Sequence, residues 1–80
     1  MPDPRFLVYT RDGCALCDEF ILELAQVLES TFDAFGVRDV DADATAARRF
    51  GLKVPVLTCD GSVVCHGHLD VAAVARLTAR

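Results

Sequence analysis

Apolar positions change their spacing several times along this chain, and each change marks an element. Arg5-Phe6-Leu7-Val8-Tyr9-Thr10 is a nearly continuous apolar run of strand-forming residues, which predicts a buried strand. Arg11-Asp12-Gly13 is a turn signal. From about Cys14 to Ser30 the pattern becomes helical. Cys17, Phe20, Ile21, Leu24 and Leu28 take one side, and Glu19, Glu23, Gln26 and Ser30 take the other. Asp18 and Glu19 fall early in this helix, where the positive end of its dipole favours acids. Residues 34–40, AFGVRDV, alternate loosely and predict a second strand. Asp41 and Asp43 can cap a short helix over Ala44–Phe50, and Gly51 sits where that helix ends. Leu52 to Cys59 predicts a third strand with Pro55 near its start. Asp60-Gly61 is the two-residue turn of a tight hairpin, and Ser62 to Cys65 returns as a fourth strand. Asp70 then caps a final short helix, with Val71, Val74 and Leu77-Thr78 facing inward.

The resulting order is βαβαββα. Its first βαβ unit requires a parallel pair with a right-handed crossover, and its last two strands are antiparallel. An α/β fold follows: a four-stranded mixed sheet with helices on both faces, in one domain over residues 1–80. A hydrophobic fraction of 52% with 25% charged residues is a globular balance rather than a disordered one. No apolar run reaches the length of a membrane span. Met1-Pro2-Asp3-Pro4-Arg5 has neither the basic segment nor the apolar core of a secretory signal, so the expected compartment is the cytoplasm. The net charge is −4 and the basic residues form no cluster larger than Arg48-Arg49. This argues against nucleic acid as a partner, because neutralising phosphates takes clustered Lys and Arg. A monomer is expected.

The chemistry concentrates in Thr10-Arg11-Asp12-Gly13-Cys14-Ala15-Leu16-Cys17. Cys14 falls where the first strand hands over to the first helix. Unsatisfied N–H groups and the helix dipole favour a thiolate there, and thiols so placed have pKa values of roughly 3.5–7.5. Cys17, three residues on, shares a helix face with Cys14 and lies within reach of a disulfide. Cys14 would attack a substrate disulfide and Cys17 would resolve the mixed disulfide. Two small core residues, or half of a metal site, are the competing readings of the same spacing.

The segments VYTRDGCALCDE (8–19), VRDVDADATAARRFGLKVPVL (37–57) and DGSVVCHGHLD (60–70) resemble the glutaredoxin branch of the thioredoxin-like superfamily. The similarity is closest to a group of short bacterial glutaredoxin-like proteins. It implies a thioredoxin-like fold, a thiol–disulfide oxidoreductase or electron carrier, and a cis Val54-Pro55 bond facing the cysteines. It also implies glutathione as a co-substrate, with no tightly bound cofactor, held by Arg11, Lys53, Val54, Pro55, Gly67 and Asp70. Departures accompany the match. Ala15 and Leu16 stand where dithiol glutaredoxins commonly carry proline and an aromatic residue. Lys53 replaces a frequent threonine, and His66-Gly67 aligns with a glycine pair. From the residues themselves, Pro55 belongs at a strand's start or edge because it has no N–H to donate. It leaves the Val54 backbone open to an extended peptide. Asp70 has a second reading as a plain helix cap. The expected partner is a disulfide-containing protein or glutathione.

With Asp60-Gly61 as the turn, Cys59 should oppose Ser62 and Val56 should oppose Cys65. The two cysteines then point to opposite faces and cannot bond each other. His66 and His68 are expected in an exposed loop, where a protonated imidazole near Cys14 would favour its thiolate. Cys14, Cys17, Cys65 and His68 also make a Cys₃His zinc set on paper, although a long interval separates its halves. Zinc or iron–sulfur carriage, and a non-catalytic binding module on the same fold, stand as alternatives to redox catalysis.

Overall fold

The computed structural model describes residues 3–79; Met1 and Pro2, part of the N-terminal stretch read above, lie outside them. The elements are β1 (Phe6–Thr10), α1 (Ala15–Glu29), β2 (Phe35–Asp39), a 3₁₀ turn (Val40–Ala42), α2 (Ala44–Phe50), β3 (Val56–Cys59), β4 (Ser62–His66) and α3 (Val71–Thr78). The sheet order is β2-β1-β3-β4. β1 pairs parallel with β2 and antiparallel with β3, and β3 pairs antiparallel with β4. This is the α/β architecture expected from the pattern and the thioredoxin-like fold that the resemblance implied, with the mixed sheet covered on both faces.

Alternation along the strands sorts the core into two layers. Phe6 and Val8 of β1 and Leu57 and Cys59 of β3 turn toward α1 and α3, where they meet Phe20, Leu24, Leu28 and Val74. On the other face, Val56 packs with Val40, Ala46 and Phe50, and Tyr9 and Val54 close the cluster. The helical spacing of α1 works as read: Cys17, Phe20, Leu24 and Leu28 are buried, and Glu19, Glu23, Gln26 and Ser30 are exposed. α3 is shallower than its pattern suggested. Val74 is fully buried, but Val71 and Leu77 remain substantially exposed.

Several boundaries moved for identifiable reasons. β2 stops at Asp39, and Val40 opens the 3₁₀ turn instead of extending the strand. The carboxylates of Asp39 and Asp43 accept the N–H groups of Asp41 and Thr45, capping the turn and α2. Asp41, expected as a cap, is used elsewhere. β3 begins only at Val56 rather than Leu52, since Lys53 N–H donates to the Phe50 carbonyl and holds 51–53 in turns after α2. Gly51 ends α2 without a left-handed conformation. Its value there is space, since a Cβ would come 2.5 Å from the Ala47 carbonyl oxygen.

The hairpin corrects the sequence reading most clearly. Asp60 and Gly61 both have positive φ, 51° and 87°, as a tight Asp-Gly turn requires, and Cys59 does oppose Ser62. A register shift between Leu57 and Thr58 then places Cys65 opposite Leu57, not Val56. The extra residue of such a bulge inverts the alternation beyond it. Cys59 and Cys65 therefore lie on the same face and both pack with the α1–α3 core. Both remain free thiols.

Leu24 sits where α1 meets β1 and β3 and has no exposed surface. Leu24→Ala should cost about 2–5 kcal/mol, a large share of the roughly 4–12 kcal/mol available to eighty residues. Urea unfolding followed by far-ultraviolet circular dichroism should show the midpoint falling accordingly. An unchanged midpoint would place the core elsewhere.

Candidate active site

Cys14 is the N-cap of α1. Its backbone is extended (φ −97°, ψ 100°), and its Sγ accepts the N–H of Cys17 at 3.0 Å. Ser, Thr, Asp or Asn ordinarily supply this acceptor through oxygen; here sulfur does. Gly13 makes the turn out of β1 at φ 76°, a left-handed conformation that favours glycine. Cys14 and Cys17 are joined as a disulfide, with Cα atoms 5.2 Å apart. The two sulfurs differ in access: Cys14 is partly exposed, whereas Cys17 is 1% exposed beneath the helix.

Two other segments reach the same end of the sheet. β1 and β3 are antiparallel with Tyr9 opposite Val56, so the residues just before β3 lie beside the loop that leads to Cys14. The Val54-Pro55 bond there is cis. Pro55 is fully buried, and Val54 lies outside the β3 ladder. The Pro55 carbonyl accepts the Gly67 N–H at 2.8 Å, and the His66 carbonyl accepts the His68 N–H at 2.9 Å across Gly67. The second bond closes a three-residue γ-turn whose central φ of 76° suits glycine. This turn ties the loop after β4 to the proline segment. Against α1 the loop forms a shallow groove of about 60 Å³ lined by Leu16, Glu19, Phe20, Glu23, Gly67, His68 and Leu69.

A family model described as the glutaredoxin-like domain, DUF836, matches residues 5–77. This chain belongs to that glutaredoxin-like family. It is 26% identical to protein Ne2328 of Nitrosomonas europaea, with 96% of this chain and 93% of that one covered and a TM-score of 0.81. It is 30% identical to protein XcR50 of X. campestris, over 94% and 97% of the two chains, with a TM-score of 0.69. Oxidised glutaredoxin 2 of Chlamydomonas reinhardtii shares the fold at 20% identity, covering 90% and 70%, with a TM-score of 0.55. No curated protein matches the chain significantly.

Within this glutaredoxin-like domain, the residues expected around glutathione have distinct local roles. Asp70 caps α3, its Oδ1 accepting the Ala73 N–H at 3.0 Å. Gly67 uses its N–H on Pro55. Lys53 is exposed beside a second cleft of about 260 Å³ on the α2 face, with Arg49, Phe50, Val56, Val63 and His66. Arg11 is engaged by an acid the sequence reading had placed as a cap: its Nε and Nη2 donate to the two carboxylate oxygens of Asp41 at 2.8 and 2.9 Å, and its Nη1 donates to the Gly51 carbonyl at 2.8 Å. A bidentate pair of this kind fixes the guanidinium plane. The sequence pattern places Glu19 and Glu23 only on the outer side of α1. Their i, i+4 spacing was visible, but the loop that makes a groove of that side comes from the far end of the chain.

The zinc set does not assemble. Cys14 and Cys17 bond each other, and Cys65 Sγ accepts the Asp70 N–H at 3.5 Å. Among the described residues, no group of three His, Cys, Asp or Glu side chains is placed to hold a metal ion. Burial pushes the Cys65 thiol up from its ordinary value, only partly offset by the Asp70 N–H. Burial thus disfavours its thiolate, the nucleophilic form of a thiol. His66 and His68 are both exposed as expected, but only His68 lies in the loop, since His66 ends β4 opposite Val56. Among the described residues, no helix is long and apolar enough to cross a membrane.

The Arg11 hydrogen bond holds the Asp41 carboxyl below its ordinary value of 3.8. A depressed carboxyl adds stability that is present above the unfolded pKa, about 3.9, and is lost as pH falls through the lower folded value. Wild type should therefore exceed Arg11→Ala in stability at pH 6, and the difference should shrink as pH falls through the lowered folded value, leaving what the Arg11–Gly51 hydrogen bond contributes. Carboxyl NMR should show the Asp41 midpoint return to its ordinary range in the variant. A midpoint that does not move would mean the pair is absent in solution.

Proposed function

We propose that this glutaredoxin-like domain is a thiol–disulfide oxidoreductase or electron carrier working through Cys14 and Cys17. The observation that carries the reading is the asymmetry of the pair: one sulfur partly exposed at a helix N-terminus with an N–H donor on it, the other buried beside it. In the reduced protein the Cys17 N–H and the dipole of a fifteen-residue helix favour the thiolate at Cys14.

That thiolate attacks one sulfur of a substrate disulfide. The substrate's S–S bond breaks, a Cys14–substrate mixed disulfide forms, and the other substrate sulfur leaves as a thiolate. Cys17 gives up its proton and attacks Cys14 Sγ, which releases the second substrate thiolate and forms the Cys14–Cys17 disulfide. Two electrons pass to the substrate, whose sulfurs take up two protons. An external dithiol, or two monothiol equivalents, restores the protein by the reverse exchange. Val54 and Pro55 serve as the docking edge, where an extended peptide can lie beside the free backbone before β3.

The partner is a disulfide-bearing polypeptide, with glutathione the second candidate. For glutathione, Arg11 is already bound by Asp41, so a carboxylate would fall to Lys53, with Gly67 and Asp70 at the other side. In the cytoplasm, the compartment we propose for it, thiols are kept reduced, which suits a cycling dithiol rather than a structural one.

Cys14→Ser should abolish reduction of a model disulfide, while Cys17→Ser should stall at a mixed disulfide visible as an added mass. Iodoacetamide should alkylate Cys14 of the reduced protein near pH 6, well before Cys65. If Cys14 reacts only around pH 8.5, as an ordinary thiol does, and Cys14→Ser retains the activity, the proposal fails.

A further inference from the structure

The groove that starts at Leu16, between the two cysteines in sequence, is acidic, and its acids are left unanswered by the fold. Leu16, Glu19, Phe20 and Glu23 fall at i, i+3, i+4 and i+7 and share the side of α1 that faces Gly67, His68 and Leu69. Like charges at i, i+4 repel and cost helix stability. α1 also carries Asp18 and Glu29 and has no Lys or Arg. Among the described residues, the acid–base pairs are Arg5–Asp60, Arg11–Asp41 and Arg38–Asp3; neither Glu19 nor Glu23 is in one. The nearest basic side chain in the groove is His68. Lys53 and Arg49 line the cleft on the α2 face, which includes no residue of the CxxC segment.

The size of the groove bears on its occupant. At about 60 Å³ it is far below the ~300–1,000 Å³ typical of small-molecule sites. It has room for a side chain from a chain laid across the surface. Phe20 forms a buried floor, Leu16 an apolar edge, and the two carboxylates the polar rim. A long cationic side chain has an apolar stem and a charged head that match this arrangement.

From this juxtaposition we propose that the substrate is a polypeptide disulfide with Lys or Arg close to the reactive cysteine, read by Glu19 and Glu23, and that glutathione disulfide is disfavoured. The inference rests on the redox reading above and deepens it. The carboxylates of glutathione would meet Glu19 and Glu23 along the helix that Cys14 caps, whereas a cationic flank relieves their repulsion. The acids also raise the local concentration of cationic substrates by steering, an effect that weakens with salt.

The test uses the full chain, reduced with dithiothreitol and desalted, in single-turnover reactions. The probes are three peptide disulfides of equal length whose cysteine is flanked by Lys, Ser or Glu, together with glutathione disulfide. Each rate is divided by the rate of the same probe with free dithiothreitol, which removes intrinsic reactivity. The Lys peptide should react on the order of tenfold faster than the Glu peptide at low ionic strength, and the gap should close in 1 M salt. In the Glu19→Gln/Glu23→Gln double variant the Lys peptide should fall to the Ser peptide's rate. Glu29→Gln, at the far end of α1, should leave the ordering intact, and circular dichroism checks that each variant is folded. Equal normalised rates, an ordering that survives the double variant, or glutathione disulfide matching the Lys peptide would each overturn the inference while reduction of the Ser peptide sustained the redox reading. Failure to reduce even the Ser peptide would overturn both.

Discussion

A helix in this protein begins on a sulfur atom. Every α-helix leaves its first N–H groups without internal partners, and at the head of α1 the Cys17 N–H goes to Cys14 Sγ. The same contact orders the helix start and places a hydrogen-bond donor on the sulfur that the proposed chemistry needs as an anion. Structure and reactivity thus share one interaction. An oxygen-bearing cap would satisfy the helix as well and would leave no sulfur nucleophile.

The core makes that contact possible by fixing where α1 starts. Phe20, Leu24 and Leu28 seat the helix against β1 and β3, so its first turn must rise at the C-terminal end of β1. The antiparallel β1–β3 pair brings the Val54-Pro55 segment to the same end. The hydrogen bond from Gly67 to Pro55 then draws in the loop after β4. Three segments distant in sequence converge beside a disulfide whose own residues are nearly adjacent. The burial of Cys17 follows from the same packing, since it begins the apolar stripe that continues through Phe20.

Charge is distributed by the same geometry. Arg11 is drawn to Asp41 and to the Gly51 carbonyl, which braces the loop before Cys14 against the turns around α2. The cations Arg49 and Lys53 line the α2 face, and the acids of α1 line the other side of the active end. The remaining thiols are set in the packing: Cys59 is buried near Arg5, and Cys65 is partly buried with its thiol pushed toward the neutral form.

The local pattern determined what is local. The helical spacing from Cys17 to Leu28, the Asp-Gly turn, the caps at Asp43 and Asp70 and the placing of Cys14 at a helix start all follow from interactions between residues a few positions apart. Such interactions are written in the order of the chain. Tertiary structure decided the rest. A single bulge moved Cys65 onto the face of Cys59, because side-chain alternation has a period of two and one extra residue inverts it. Asp41 left its expected capping role because Arg11, thirty residues away, offered a bidentate partner. Glu19 and Glu23 became the wall of a groove only because the 66–69 loop folds against them, and no spacing within α1 could announce a neighbour supplied by the far end of the chain.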